Sequence, residues 1–189
     1  QASCFGNHQT GQLGSGDSPT NNYLPRGVCS GVGANPCAEV IEDALQVETG
    51  DAHTCAIRGA LRTVYCWGRN YSGQLGDGTT TARWYPVQAC AQGVGPTCVP
   101  LSGIEQLALG DNHTCALKDN GQVVCFGANS EGQLGQGNDD DSPVPLTVCA
   151  ARSNGECQPL EDVKSLAASS ESTCALLESG ELRCFGENS

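Results

Sequence analysis

Apolar residues along this chain come in short runs broken by glycine, asparagine and aspartate, and no long stripe with a 3.6-residue period is present. Residues 104–110 read as a short buried strand and residues 113–117 as a second. The Lys118-Asp119-Asn120-Gly121 segment between that strand and the next has turn chemistry, because asparagine and glycine tolerate positive φ. Residues 122–127, with β-branched Val123 and Val124, return as a third strand. The same hairpin pattern recurs at residues 53–68 and 173–186. Residues 84–87 and 143–148 read as further strands, and Pro86 and Pro145 place them at an edge, where a missing N–H is tolerated. Residues 39–45 alone have the look of a short helical turn. The fold class predicted is all-β.

Gly-Gln-Leu-Gly occurs at residues 11–14, 73–76 and 132–135, each time seven residues after a Cys-aromatic-Gly triplet. The triplets begin at Cys4, Cys66 and Cys125, and a fourth begins at Cys184. The period is 59 residues for the later intervals and 62 for the first. The expected units are repeat or blade 1 at 1–65, blade 2 at 66–124, blade 3 at 125–183, and the start of a further repeat at 184–189. About four short strands per repeat is the signature of propeller blades, which cannot bury their apolar faces alone. Gly-Gln-Leu-Gly-x-Gly, then Pro-x-x-Val, then Leu-x-x-Gly-x-x-His-Thr-x-Ala-Leu, then Gly-x-Val-x-Cys-Trp-Gly resembles the regulator of chromosome condensation repeat. The resemblance covers essentially the whole chain. It implies β-propeller blades of the kind that close as rings of seven, here as an open array of three repeats and part of a fourth. The repeats are longer than the family's usual length, mainly through a cysteine-flanked loop. The third repeat has Ser169 and Ser172 where the pattern has glycine and histidine.

Four cysteines recur per repeat, and with Cys184 they make thirteen. Cys90 and Cys98 flank a seven-residue loop, as do Cys29 and Cys37, and Cys149 and Cys157, so each pair is expected as a local staple. Cys115 and Cys125 lie at mirror positions of one hairpin, where Cβ atoms approach closely enough to bridge. Cys55 with Cys66 and Cys174 with Cys184 are equivalent. Six disulfides follow, and Cys4 is left over: free, bonded to another chain, or parted from a partner in a truncated preceding repeat. Closing a ten-residue loop is worth about 2.5–3 kcal/mol in the chain-entropy model. Such bonds persist in oxidising surroundings, so an extracellular, secreted location is expected. No Cys-x2-Cys pair suggests zinc, and no cofactor is expected.

Acidic residues outnumber basic ones 21 to 9, for a net charge of −12, and the excess sits in the third repeat with Asp139, Asp140 and Asp141. Phosphate binding needs the opposite sign, so nucleic acid is not an expected partner and the chromatin role of the family's namesake does not carry over. No apolar stretch is long enough to span a membrane as a helix. Gln1 is read either as the mature end left by a signal peptidase or as the point where the segment begins. His53 and His113 share a repeat position and are expected to be hydrogen-bonding residues inside a blade; His8 is expected at the surface. Cys4 beside His8 is the only local nucleophile and base pair, and no catalytic motif accompanies it, so no enzymatic activity is expected. The run at residues 138–141 lacks the alternating carboxylates of a calcium loop and reads as solvated. Asn70 and Asn112 head glycosylation sequons. In Gly-Gln-Leu-Gly the glycines are expected to serve turns, and Leu13, Leu75 and Leu134 to pack between blades.

These readings lead to a secreted, non-catalytic structural or interaction protein. Its ends lie in nearly the same phase of the repeat, so copies are expected to assemble head to tail into a ring or filament. Residues 11–28 of one copy would complete the last blade of the next. The alternative is a piece of a larger secreted propeller that recognises another protein through its loops.

Overall fold

The computed structural model describes residues 2–16, 22–30 and 39–188. Seventeen strands are present among them, all in antiparallel sheets. Strands β1 (Ser3–Gly6) and β2 (Asn22–Gly27) form a two-stranded sheet. Four strands then build one complete blade: β3 (Ala44–Thr49), β4 (His53–Arg58), β5 (Thr63–Gly68) and β6 (Arg83–Gln88). A small outer hairpin follows, from β7 (Cys90–Gln92) and β8 (Val99–Pro100). The second complete blade comprises β9 (Ile104–Leu109), β10 (His113–Lys118), β11 (Val123–Gly127) and β12 (Ser142–Thr147). Its outer hairpin is β13 (Cys149–Ser153) with β14 (Glu156–Pro159). The last sheet has three strands, β15 (Val163–Ala168), β16 (Ser172–Leu177) and β17 (Leu182–Gly186). We call the four successive strands of a blade a, b, c and d. The first sheet then holds c and d, and the last holds a, b and c.

Each strand d is an edge strand, so Pro86 in β6 and Pro143 and Pro145 in β12 withhold no ladder hydrogen bond from a further strand. Residues 39–45 are not helical. Val40 bridges to Cys29, and Ala44 and Leu45 open β3. The alternation of half-buried and exposed residues along β3 is a strand period, which outweighs the helix formers there. The cysteine-flanked loops at 90–98 and 149–157 are hairpins in their own right, where the sequence showed only a stapled loop.

The blades are out of phase with the sequence repeats expected at 1–65, 66–124 and 125–183. A repeat counted from its Cys-aromatic-Gly triplet holds strands c and d of one blade and strands a and b of the next. The core lies between blades. One cluster joins Cys55, Ile57, Val64 and Leu75 to Leu107, Leu109 and Phe126 of the following blade. A second joins Leu117, Val123 and Leu134 to Leu166, Ala175 and Phe185. Leu75 and Leu134 are buried in these joints, and Leu13 is buried as well.

Candidate functional site

What a propeller blade offers chemically is its face and its edges, and the joints between blades position both. The second and third Gly-Gln-Leu-Gly segments fold as paired tight turns, with Gly76 N–H donating to Gly73 O and Gly73 N–H to Asn70 O in one and Gly135 N–H to Gly132 O and Gly132 N–H to Asn129 O in the other; the first keeps the Gly14 N–H to Gly11 O turn. The leucine N–H of each turn is left over and is taken by one side chain: Leu75 N–H by Asn70 Oδ1 at 3.0 Å, and Leu134 N–H by Asn129 Oδ1 at 2.9 Å. In the first copy His8 does this work. Its Nδ1 accepts from Leu13 N–H at 3.2 Å, leaving Nε2 to donate to Ser15 Oγ at 3.3 Å. His8 is therefore buried, stacked edge-on against Trp84, and not at the surface as expected. With its ring nitrogens so engaged, it is no base for Cys4.

Asn70 is fully buried, and its Nδ2 points at Asp77 Oδ1, Thr79 O and Thr81 O. A glycan on that nitrogen is incompatible with this fold, which corrects the sequon reading at Asn70. Asn112 is half-buried and accepts from Gln74 Nε2 at 3.3 Å. The acidic run repeats the arrangement around Asn70: Asn138 O accepts from Asn129 Nδ2, and Asp141 Oδ1 accepts from Asn129 N–H. Asp139 and Asp140 are exposed.

The next blade closes over each turn. The last glycine of the motif has φ of +67° at Gly76, and a Cβ there would sit 2.8 Å from the Phe126 ring. Trp67 stands in the same relation to Gly14, and Phe185 to Gly135. The backbone carbonyl of Gln12 also accepts from Trp67 Nε1 at 2.9 Å.

Three further positions in each complete blade grip the following blade. Gln46 brackets the main chain of Leu107, donating to its carbonyl at 3.2 Å and accepting from its N–H at 2.9 Å. Gln106 does the same to Leu166, at 2.8 Å both ways. His53 Nε2 lies 2.9 Å from Thr114 Oγ1, and His113 Nε2 lies 2.8 Å from Thr173 Oγ1. Thr114 Oγ1 gives its own proton to Gln74 O, so His53 Nε2 carries the hydrogen and donates it to Thr114 Oγ1. The histidines thus bond across blades, where an intra-blade role was expected. Burial pushes the His53 pKa down to about 3, with His113 lowering it further. Burial likewise pushes His113 down to about 4, against an opposing pull from Asp111. Gly50 and Gly110 complete the grip. A Cβ on Gly50 would strike His53 Cε1 at 2.4 Å and the Gly110 carbonyl at 2.3 Å; Gly110 stands so to His113 and the Ser169 carbonyl. Sequence reading missed the glutamine because a polar residue in a strand looks like any outward-facing one. Its signal was the repeated spacing.

The expected cross-strand disulfides lie between strands b and c. Cys55 faces Cys66, Cys115 faces Cys125 and Cys174 faces Cys184, each with Cα atoms 4.1 Å apart and bonded sulfurs. Cys90–Cys98 and Cys149–Cys157 tie the outer hairpins. Cys29 is disulfide-bonded, and its expected partner Cys37 lies outside the described residues. Cys4, at the c position of the first sheet, is a free thiol whose pKa burial raises. Among the described residues no three histidine, cysteine or acidic side chains converge on a possible metal site.

Profiles of the regulator of chromosome condensation (RCC1) repeat match residues 4–57, 63–117 and 120–176, and a second profile of that repeat matches 45–74 and 104–133. The X-linked retinitis pigmentosa GTPase regulator of Mus musculus is 35% identical over 140 residues, covering 74% of this chain and 13% of its own length. The ultraviolet-B receptor UVR8 of Arabidopsis thaliana is 31% identical over 191 residues, covering 96% of this chain and 36% of its own. The crystal structure of human WBSCR16 superposes with a TM-score of 0.69 at 21% identity, over 98% of this chain and 42% of that one. Yeast RCC1 (Prp20), solved bound to Kap60, gives 0.66 at 19% identity, over 97% and 39%. The chain thus spans well under half the length of each.

Proposed function

The chain belongs to the regulator of chromosome condensation repeat family, and on that premise we propose that it is an extracellular, non-catalytic protein-interaction module made of disulfide-stapled propeller blades. The observation carrying this reading is the staple itself. Every b–c strand pair among the described residues has a cysteine on each strand, directly opposite in register. Bonds of this kind are kept where thiols are oxidised and are rare where glutathione keeps them reduced. Protein partners fit the relatives' own behaviour: yeast RCC1 has been solved bound to Kap60, and the mouse relative is a GTPase regulator by name. Intact mass with and without reduction, on protein recovered from the native source, tests the reading. A mass lower than the all-thiol value by two hydrogens per bond supports it. A fully reduced chain from a reducing compartment overturns it.

A second reading, head-to-tail assembly of copies, is favoured by one observation. The first sheet holds strands c and d, and the last sheet lacks only d. β2 of one copy is therefore the strand type that β17 of another is ready to pair with, and strand addition satisfies open backbone groups. Deleting residues 1–28 should then abolish assembly while both complete blades stay folded. A strictly monomeric parent at high concentration removes this second reading and leaves the first untouched.

A further inference from the structure

We infer that the cleft between β6 and its stapled outer hairpin binds a proline-rich segment of another protein, held as a polyproline II helix with basic flanks. Tyr65, Arg83, Tyr85, Pro86 and Gln88 line one side of it, and Gly95 and Cys98 of the hairpin line the other. Its volume is about 460 Å³, inside the range of about 300–1,000 Å³ usual for ligand sites. The Cys90–Cys98 bond fixes the hairpin wall. The Arg58 guanidinium lies 5.0 Å from the Tyr65 ring centroid and steadies that ring. The cleft belongs to a complete blade, with one sheet before it in the chain and others after it. The blade fold does not require these side chains. One period of 59 residues further on, the β9–β12 blade has the same four strands and the same stapled hairpin, and it keeps the proline as Pro145. Yet Val124 stands there for Tyr65, Val144 for Tyr85, Ser142 for Arg83 and Thr147 for Gln88. A blade thus forms without two tyrosines, an arginine and a glutamine at these positions, and their gathering around one cleft has another cause.

The hydrogen bonding of the lining defines the ligand. Tyr65 Oη accepts from Gln88 Nε2 at 2.9 Å, so the tyrosine's own hydrogen is spare. Arg83 spends Nε and Nη2 on Asp77 Oδ2, at 2.9 and 2.6 Å, and keeps Nη1. Tyr85 Oη has no partner among the described residues. The spare capacity is therefore mostly of donors: two phenol hydrogens and one guanidinium nitrogen, with Gln88 Oε1 as the strong acceptor. Proline lacks an N–H, and a polyproline II chain makes no internal hydrogen bonds, so its carbonyls stand free. Such a segment brings acceptors and few donors, the complement of this cleft, and its rings pack against tyrosine rings. An added β-strand fits less well, because it needs a regular ladder along β6 and Pro86 interrupts the donors there. The net charge of −12 draws a ligand flanked by lysine or arginine and repels an acidic one. This rests on the proposed interaction role and supplies the chemistry of a partner for it; the extracellular location is not needed.

The test uses the oxidised full chain and a fluorescein-labelled decapeptide of eight prolines between two lysines, followed by anisotropy. Binding should saturate, and a decapeptide of alternating glycine and serine between the same lysines should bind about tenfold more weakly. Exchanging the flanking lysines for glutamates should weaken the proline peptide, most of all at low salt. Tyr65→Phe and Tyr85→Phe keep the rings and remove one donor each. Either should weaken binding about three- to tenfold while the melting temperature hardly moves. Tyr85→Val, which installs the residue of the β9–β12 blade, should weaken it further. Amide shifts on titration should concentrate in residues 83–100 and spare residues 142–159. Lack of saturation by about 1 mM, equal affinity for the proline and glycine–serine peptides, shifts centred on another part of the chain, or displacement of the proline peptide by the neutral sugar maltohexaose would each overturn the inference. None of these results depends on the redox state of the native chain, so the extracellular reading stands or falls separately.

Discussion

Protonating His53 or His113 adds an N–H at Nδ1, a buried atom that has no hydrogen-bond partner in either ring. That is why burial depresses both groups, to about 3 and about 4 from an ordinary 6.5. Between pH 6.5 and roughly 4 the unfolded chain binds protons that the folded chain refuses. Stability is therefore full above pH 6.5 and falls as pH drops toward the folded values. At pH 5 each ring costs about 2 kcal/mol by linkage, so urea titrations at pH 7.5 and 5 should differ by about 4 kcal/mol. The double variant His53→Asn, His113→Asn, less stable throughout, should lose most of that difference. The same rings explain a pairing of residue types. Gly110 can have no Cβ while His113 lies against it, and where histidine gives way to Ser172 the glycine has become Ser169. Gly110→Ala should destabilise by about 2–4 kcal/mol. Combined with His113→Ser it should cost less than the two changes summed, by about 1 kcal/mol in a double-mutant cycle. Additivity would mean that the clash with the Ser169 carbonyl dominates.

At the scale of elements, the turn before each buried leucine depends on one side chain. Asn129→Ala leaves Leu134 N–H buried and unpaired, and should cost about 2–3 kcal/mol by chemical denaturation. Asn129→His should cost less, since His8 already fills this role in the first copy. How much of this was legible varies with the range of the interaction. Strands, turns and b–c cysteine pairs follow from neighbours within a dozen residues, where period and register are set locally. The burial of His8 was not legible, because the cap it replaces is a three-dimensional equivalence and histidine is an unusual residue for it. The reach of Gln46 to Leu107 spans 61 residues, and that of His53 to Thr114 also 61. Both belong to blade stacking, which a linear pattern marks only as recurrence. The helical look of residues 39–45 failed for a related reason: Ala44 pairs with Arg58 of β4, a partner further along the chain.

Across the whole molecule, charge and covalent closure decide behaviour. With a net charge of −12 and no basic cluster, DNA should not bind at micromolar concentration in 0.15 M salt. Steeply salt-dependent binding in a filter or anisotropy assay would refute this. Reduction acts on the other term. Each blade buries its apolar face against the next, so an open array keeps a smaller share of its surface covered than a closed ring of the same blades does. The described disulfides close loops of 8 to 11 residues, each worth about 2.5–3 kcal/mol at most. Those within blades bond strands b and c, so an unfolded chain that keeps them retains the tightest hairpin of each sheet. If half of that entropic gain is realised, five bonds supply about 6 kcal/mol. For a chain of this length that converts to a fall in Tm of roughly 12–24 °C on full reduction. Calorimetry with and without a phosphine reductant, at equal pH and protein concentration, measures it. A fall of under about 5 °C would mean that inter-blade packing alone holds the array, and the cysteines would then need a reason other than stability.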